Sequence, residues 1–368
     1  MYSLESQTVG VKEIFCGDGF NLANPVSSQG YFLGRWFRKI FTSNVGIPQF
    51  ESMSTFNHGS EIIAEITNTT SLKIKLFQWG GFVSYSLNDG NVVRLPHVTV
   101  DNTTTPVDVD VVSGLDKTKK YKIRIIHASM GTGADKWTFA ANTFNFCGFV
   151  GDDNSFEVKP LYPTNRRILF LGDSITDGLS AYAPGGFANN VSCGDIVFGK
   201  IASKMLNSLG IISGFGSTGI VRKGISGVPR AYEHIKYLYN TKETTLEEPD
   251  VIVLAYGAND GKADPDLHNT TKAEFMDAYR EVIDFLIAKW GKKPLVFLEV
   301  HNINDTRYWI QELADSYDHA YFVGTYQEGI TVSATLDGLH PDPVGHQTIG
   351  EHLATRLKGI FGDEFFGL

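Results

Sequence analysis

Between residues 61 and 127 apolar and polar side chains repeatedly alternate. The runs are Glu61-Ile62-Ile63-Ala64-Glu65-Ile66, Leu72-Lys73-Ile74-Lys75-Leu76-Phe77, Phe82-Val83-Ser84-Tyr85-Ser86-Leu87, Val107-Asp108-Val109-Asp110-Val111-Val112 and Tyr121-Lys122-Ile123-Arg124-Ile125-Ile126-His127. A period of two sends successive side chains to opposite faces of an extended chain, so these runs predict strands with one buried and one wet face. Asn88-Asp89-Gly90-Asn91, between two runs, predicts a hairpin-like turn. Helical period is almost absent from about Glu13 to Val158. Many short strands at this spacing predict an all-β sandwich of jelly-roll type.

The pattern changes after Lys159-Pro160-Leu161-Tyr162-Pro163-Thr164-Asn165, whose two prolines favour an extended connector. Ile168-Leu169-Phe170-Leu171 is apolar without alternation, as in a parallel strand covered on both faces. Similar runs lie at Ile211-Ile212, 251–256, 295–300 and 321–323. Helical spacing marks residues 195–206, the stretch Lys272 to Trp290 with Phe275, Tyr279, Val282, Ile283 and Leu286 on one face and Gly291 as its stop, and the chain from Val344 with Ile349, Leu353, Leu357 and Ile360. Strands alternating with helices predict an α/β three-layer sandwich around a parallel sheet, with reactive groups at the carboxyl ends of the strands. The 368 residues exceed one typical core. The predicted division is a β-domain over 1–160 and an α/β domain over 161–368.

Composition narrows the function. A formal charge of −9 without a basic stripe argues against a nucleic-acid surface. No apolar run approaches the roughly 20 residues of a membrane-spanning helix. Met1-Tyr2-Ser3-Leu4-Glu5 lacks the regions of a signal peptide, so the chain is either intracellular or numbered from a mature start. Asn-x-Ser/Thr patterns at Asn68, Asn102, Asn190, Asn269 and Asn304 favour secretion. Cys16, Cys147 and Cys193 form neither a zinc motif nor a disulfide framework, which leaves a single Cys16–Cys147 bridge open.

Four polar loops fall at the predicted strand ends: Gly172-Asp173-Ser174-Ile175-Thr176, Gly214-Phe215-Gly216-Ser217-Thr218-Gly219, Tyr256-Gly257-Ala258-Asn259-Asp260-Gly261 and Leu336-Asp337-Gly338-Leu339-His340-Pro341. Each alone has a plain structural reading. Ser174 caps a helix, Asn259 braces a turn, and Asp337 and His340 form a surface turn. His301, His346 and His352 face solvent or bond locally, without the spacing of a metal site. Asp260 supports its loop. Together, however, the loops hold a hydroxyl nucleophile, an imidazole base, a carboxylate to orient it and N–H donors for an oxyanion.

With these blocks in this order the sequence resembles the SGNH, or GDSL-type, hydrolases. Gly172-Asp173-Ser174-Ile175-Thr176, Gly257-Ala258-Asn259-Asp260 and Asp337-Gly338-Leu339-His340 carry the likeness; for the block that donates a glycine amide, Gly216 is the choice, with Ser217 and Gly219 open. The preceding β-sandwich, with Gly34-Arg35-Trp36 and Phe56-Asn57-His58-Gly59-Ser60, resembles carbohydrate esterase family two. The resemblance implies a flavodoxin-like sheet and a serine esterase. His340 would serve as base to Ser174, Asp337 would orient His340, and Ser174, Gly216 and Asn259 would form the oxyanion hole. It implies no metal or cofactor, and an acetylated carbohydrate or another small ester as substrate. Because some two-domain relatives manage with a weak acid, Asp337→Asn is expected to cost less than His340→Ala.

Three rival readings remain at this level. Gly214-x-Gly216-x-x-Gly219 matches a dinucleotide fingerprint, but residues 220–229 make a poor helix after it. Trp79, Phe82, Trp137 and Phe139 either stack on sugars or fill the core, so a non-catalytic carbohydrate binder is a second possibility. A lipase-like esterase is the third, disfavoured by the lack of a long apolar lid.

Overall fold

The structure is a computed structural model that describes residues 12–15, 26–27, 30–41, 50–100, 105–130, 137, 143–183, 191–224, 228–237, 244–260, 269–299 and 305–368. Cys16, Phe139, Asn102, Asn190, Gly261, His301 and Asn304 lie outside these residues.

The first half is all antiparallel. One sheet runs in the order Val107–Ser113, Ser71–Leu76, Phe144–Gly151, Phe50–Thr55, Phe37–Phe41. The other runs Val98–Val100, Trp79–Leu87, Tyr121–Met130, Glu61–Thr67, Gly30–Leu33, Val26–Ser27, with Glu157–Pro160 also pairing to Glu61–Thr67. Between them Phe32, Trp36, Met53, Ile62, Ala64, Leu72, Ile74, Leu76, Ile123, Ile125, Phe144, Phe146 and Phe149 form one core. Ser71–Leu76 shows the predicted single buried face. Glu61–Thr67 does not: Ile62 and Ala64 enter the sandwich, while Ile63 joins a cluster with Leu169, Leu171 and Tyr279 of the second half. The second domain docks on the face that alternation alone marks as wet. Trp79 is 6% exposed and packs edge-on against Phe144, so it belongs to the core and offers no stacking face.

The second half is a five-stranded parallel sheet in the order Leu209–Gly214, Arg167–Gly172, Val251–Ala255, Leu295–Leu298, Ala320–Val323. Numbered along the chain this is 2-1-3-4-5, the flavodoxin-like order. Leu169 and Leu171 face one side, with helix Lys272–Trp290 and helix Thr306–Asp315; Ile168 and Phe170 face the other, with helices Phe198–Met205 and Pro343–Phe361. Burial on both faces is why these strands lack alternation. Helix Lys272–Trp290 starts at a capping box of Thr271 and Glu274 and stops at Gly291, whose φ of 74° few other residues adopt without strain. Two helices, Ala231–Lys236 and Thr306–Asp315, have no clear sequence signal; neither receives a side-chain cap. No helix directly follows Gly219 among the described residues, so the dinucleotide fingerprint lacks the element that would bind its phosphates.

Among the described residues no helix is long and apolar enough to cross a membrane.

Candidate active site

Ser174 stands just past the strand Arg167–Gly172, where the chain turns sharply. A Cβ on Gly172 would lie 2.0 Å from Thr176 Oγ1, so only glycine lets the turn fold back on its strand. The turn closes when Asp177 N–H donates to the Asp173 carbonyl at 3.0 Å and Leu179 N–H to the Ser174 carbonyl at 2.9 Å. The Asp173 carboxylate accepts the Ile175 N–H at 2.9 Å. Ser174 is thereby held at 5% exposure, over the crevice where strand order reverses.

His340 arrives from residues 335–341, a loop shaped by Asp337. Oδ1 of Asp337 accepts from Thr335 Oγ1 at 2.8 Å, and from Leu339 N–H and His340 N–H, both at 2.9 Å. Its Oδ2 lies 2.6 Å from His340 Nδ1. Burial alone would raise the Asp337 pKa, but the bonds from the His340 backbone and ring, Leu339 and Thr335 outweigh it and hold the carboxyl well below the usual range. An ionised Asp337 keeps the proton on Nδ1, which leaves Nε2 as an acceptor 2.9 Å from Ser174 Oγ. Next along the chain, Asp342 caps helix Pro343–Phe361 through the Gly345 N–H at 2.8 Å and fixes where the loop ends.

The Asn259 amide donates to the Asp173 carboxylate at 3.2 Å and the Thr218 carbonyl at 3.0 Å. Asn259 therefore ties the nucleophile turn to the loop after Leu209–Gly214. In that loop the three glycine-amide candidates separate. Gly219 donates its N–H to the Arg222 carbonyl at 3.1 Å, and a Cβ there would meet Asp260 Oδ1 at 2.6 Å. Ser217 turns through a φ of 63°. Gly216 faces the nucleophile, a Cβ on it falling 4.0 Å from Ser174 Cβ. Among the described residues, no acceptor takes the N–H of Gly216 or of Ser174.

Asp260 has a structural place. It accepts from the N–H groups of Ile220, Val221 and Arg222 at 2.8, 2.8 and 3.2 Å, and burial raises its pKa against those bonds. His346 is buried and stacked on Phe198 instead of facing solvent, whereas His352 lies 2.8 Å from the Gly324 carbonyl. Trp137 meets Phe215, next to Gly216, at a centroid distance of 6.4 Å. Phe82 is half-buried beneath Arg94. No sequence signal singles out Asp173 as the partner of Asn259. Thr335 was within reach, since a threonine two positions from an aspartate often bonds locally.

Comparisons with known proteins bear on the family and the fold. Residues 170–348 match the model of the GDSL-like lipase/acylhydrolase family. No curated protein matched the chain. Among solved structures, it is similar to a family two carbohydrate esterase from Clostridium thermocellum in complex with cellohexaose, with a TM-score of 0.70 at 18% identity over 90% of this chain and 99% of that one. A family two carbohydrate esterase from Cellvibrio japonicus gives 0.72 at 15% identity over 96% and 98%. The acetyl xylan esterase Est2A from Butyrivibrio proteoclasticus gives 0.67 at 16% identity over 96% and 99%. Residues 170–348 are thus a GDSL-like lipase/acylhydrolase domain, and the chain is a carboxylic ester hydrolase with the two-domain fold of the family two carbohydrate esterases.

Proposed function

We propose that this hydrolase removes acetyl groups from a polysaccharide or oligosaccharide of the xylan or glucomannan kind, through an acyl-enzyme on Ser174. The observation that carries the mechanism is the unbroken chain of contacts from Asp337 through His340 to Ser174, at 2.6 and 2.9 Å. Ser174 Oγ attacks the ester carbonyl as His340 Nε2 takes its proton, and His340 then protonates the departing sugar hydroxyl. Asp337 stabilises the imidazolium. The tetrahedral oxyanion rests on the N–H groups of Ser174 and Gly216 and on the Asn259 amide, which exchanges its bond to the neutral Thr218 carbonyl for a stronger one to the charged oxygen. Water repeats the cycle on the acetyl-enzyme. The substrate class is supported by similarity to an acetyl xylan esterase and to a carbohydrate esterase in complex with cellohexaose. Such a substrate places the enzyme outside the cell.

The test is turnover of p-nitrophenyl acetate by the wild type and Ser174→Ala, followed by acetate release from acetylated xylan and glucomannan. Loss of both activities in the variant is expected. Equal rates would remove Ser174 from the mechanism, and turnover of long-chain esters alone would replace the carbohydrate substrate by a lipid.

A further inference from the structure

Two loops of the candidate site are held from the other domain. The turn 56–60 leaves the strand Phe50–Thr55 and carries Asn57 and His58, each 1% exposed, to the domain boundary. Asn57 Nδ2 donates to the Gly214 carbonyl at 2.8 Å, two residues before Gly216. His58 Nε2 accepts the Met130 N–H at 3.2 Å, so the ring proton is on Nδ1. Nδ1 meets the Asp177 carbonyl at 3.2 Å and the Asp177 carboxylate at 3.3 Å, three residues after Ser174. The two loops gripped in this way also touch each other. A Cβ on Gly214 would stand 2.3 Å from Asp177 N and 2.7 Å from its Cα.

The gripping turn is itself immobilised. Gly59 N–H donates to the His127 carbonyl at 2.7 Å, and a Cβ on Gly59 would lie 2.9 Å from both the Gly194 carbonyl and Ile212 Cγ1. Apolar contact already docks the domains through Tyr31, Leu33 and Ile63. Buried polar groups add what apolar contact lacks, namely direction. Here they point at the backbone of the nucleophile turn and at the residue that leads into the loop of Gly216.

We propose, building on the acyl-transfer reading above, that the turn 56–60 is a brace that sets the gap between the nucleophile turn and the oxyanion loop. Asn57 and His58 are its positioning residues. Oxyanion donors work at 2.7–3.1 Å, and a misplacement of about 1 Å from a distant change costs about 10² in rate. Neither residue bonds the reacting groups directly, so the brace acts on kcat and leaves KM nearly unchanged.

The experiment measures kcat and KM on p-nitrophenyl acetate for the full-length wild type, Asn57→Ala, His58→Gln and His58→Asn, each normalised to sites titrated with a fluorophosphonate, and for Ser174→Ala, which has no serine to titrate, per mole of folded protein. Titration removes any misfolded fraction from the comparison. Gln keeps the acceptor for Met130 and loses the donor to Asp177; Asn keeps a donor at the Nδ1 position and loses the acceptor. The brace requires Asn57→Ala and His58→Gln to lose about 10- to 100-fold in kcat with KM within about threefold, and His58→Asn to recover most of the loss. If kcat per titrated site in Asn57→Ala and His58→Gln stays within about twofold of wild type while Ser174→Ala is inactive, the brace is overturned and the site assignment stands. If Ser174→Ala is as active as wild type, both are overturned.

Discussion

Asp337→Asn puts the proposed mechanism under the greatest strain. In the wild type one carboxylate oxygen accepts three donors, from Thr335, Leu339 and His340, at 2.8, 2.9 and 2.9 Å, and the other takes the ring Nδ1 contact at 2.6 Å. An asparagine has one acceptor oxygen, which stays with the three donors. Its NH₂ then faces the ring, Nδ1 must become an acceptor, and the proton moves to Nε2. A protonated Nε2 cannot take the Ser174 proton. The equivalent tautomer error in a serine protease triad costs about 10⁴ in kcat, or about 5.4 kcal/mol at 1.36 kcal/mol per decade. Asp337→Ala, by contrast, removes the carboxylate without imposing a tautomer. It forfeits the ring contact together with the three bonds that shape the loop, and loss of the equivalent aspartate in a serine protease triad costs about 3 × 10⁴ in kcat. Each variant is therefore expected to lose about 10⁴-fold in kcat, asparagine by holding the wrong tautomer and alanine by releasing the ring and its loop. The sequence-based expectation that Asp337→Asn costs less than His340→Ala does not include this tautomer cost, because sequence does not display the three donors that orient the amide. The assay is kcat on p-nitrophenyl acetate near pH 8, per mole of folded protein, for wild type, Asp337→Asn, Asp337→Ala and His340→Ala. A kcat for Asp337→Asn within about tenfold of wild type would refute the tautomer argument.

Three further outcomes follow from the packing. His234 is fully buried, and burial together with the nearby Arg35 pushes its pKa down to about 3. Between about pH 6.5 and 3 the unfolded chain binds a proton that the folded chain refuses, so stability falls with pH. Acidification from 7.5 to 5 should cost about 2 kcal/mol through this ring alone, and His234→Gln should lose that much less in urea unfolding; equal losses in both proteins would contradict the assignment. Glu61 joins Lys200 at 2.5 Å across the domain boundary and Arg124 at 2.6 Å within its own sheet, and the Lys200 side chain is only 9% exposed. Glu61→Ala leaves that ammonium without its counter-charge and should destabilise by about 3–5 kcal/mol, whereas a loss under about 1 kcal/mol would show that the charge is solvated there. Gly216→Ala places a Cβ in ordinary contact, 3.7 Å from Leu179 Cδ2, and should leave the urea midpoint close to wild type. Gly219→Ala drives a Cβ into the Asp260 carboxylate and should cost about 1–3 kcal/mol, so equal midpoints for the two variants would undo this account of the loop.

Local period was enough to separate an alternating, antiparallel first half from a second half of continuous apolar strands, because each pattern reports which faces of a single element are covered. It also placed helix Lys272–Trp290 to the residue, since an apolar face and a glycine stop are written within one stretch of chain. Helix Thr306–Asp315 carries no such signs: it opens on Thr-Arg-Tyr-Trp and has no side-chain cap, and it is held by packing Ile310 and Leu313 against the sheet. The chemistry-bearing residue types of the candidate site were legible for the same reason, as short polar blocks at strand ends. Their partners were not. That Asn259 ties to Asp173, that Gly219 has its amide engaged while Gly216 does not, and that Asn57 and His58 reach across the domain boundary depend on segments up to more than a hundred residues apart meeting within a few ångströms. Sequence spacing carries no information about such meetings. They are decided by how two sheets and their helices pack, and by the few glycines whose missing Cβ atoms let backbones touch.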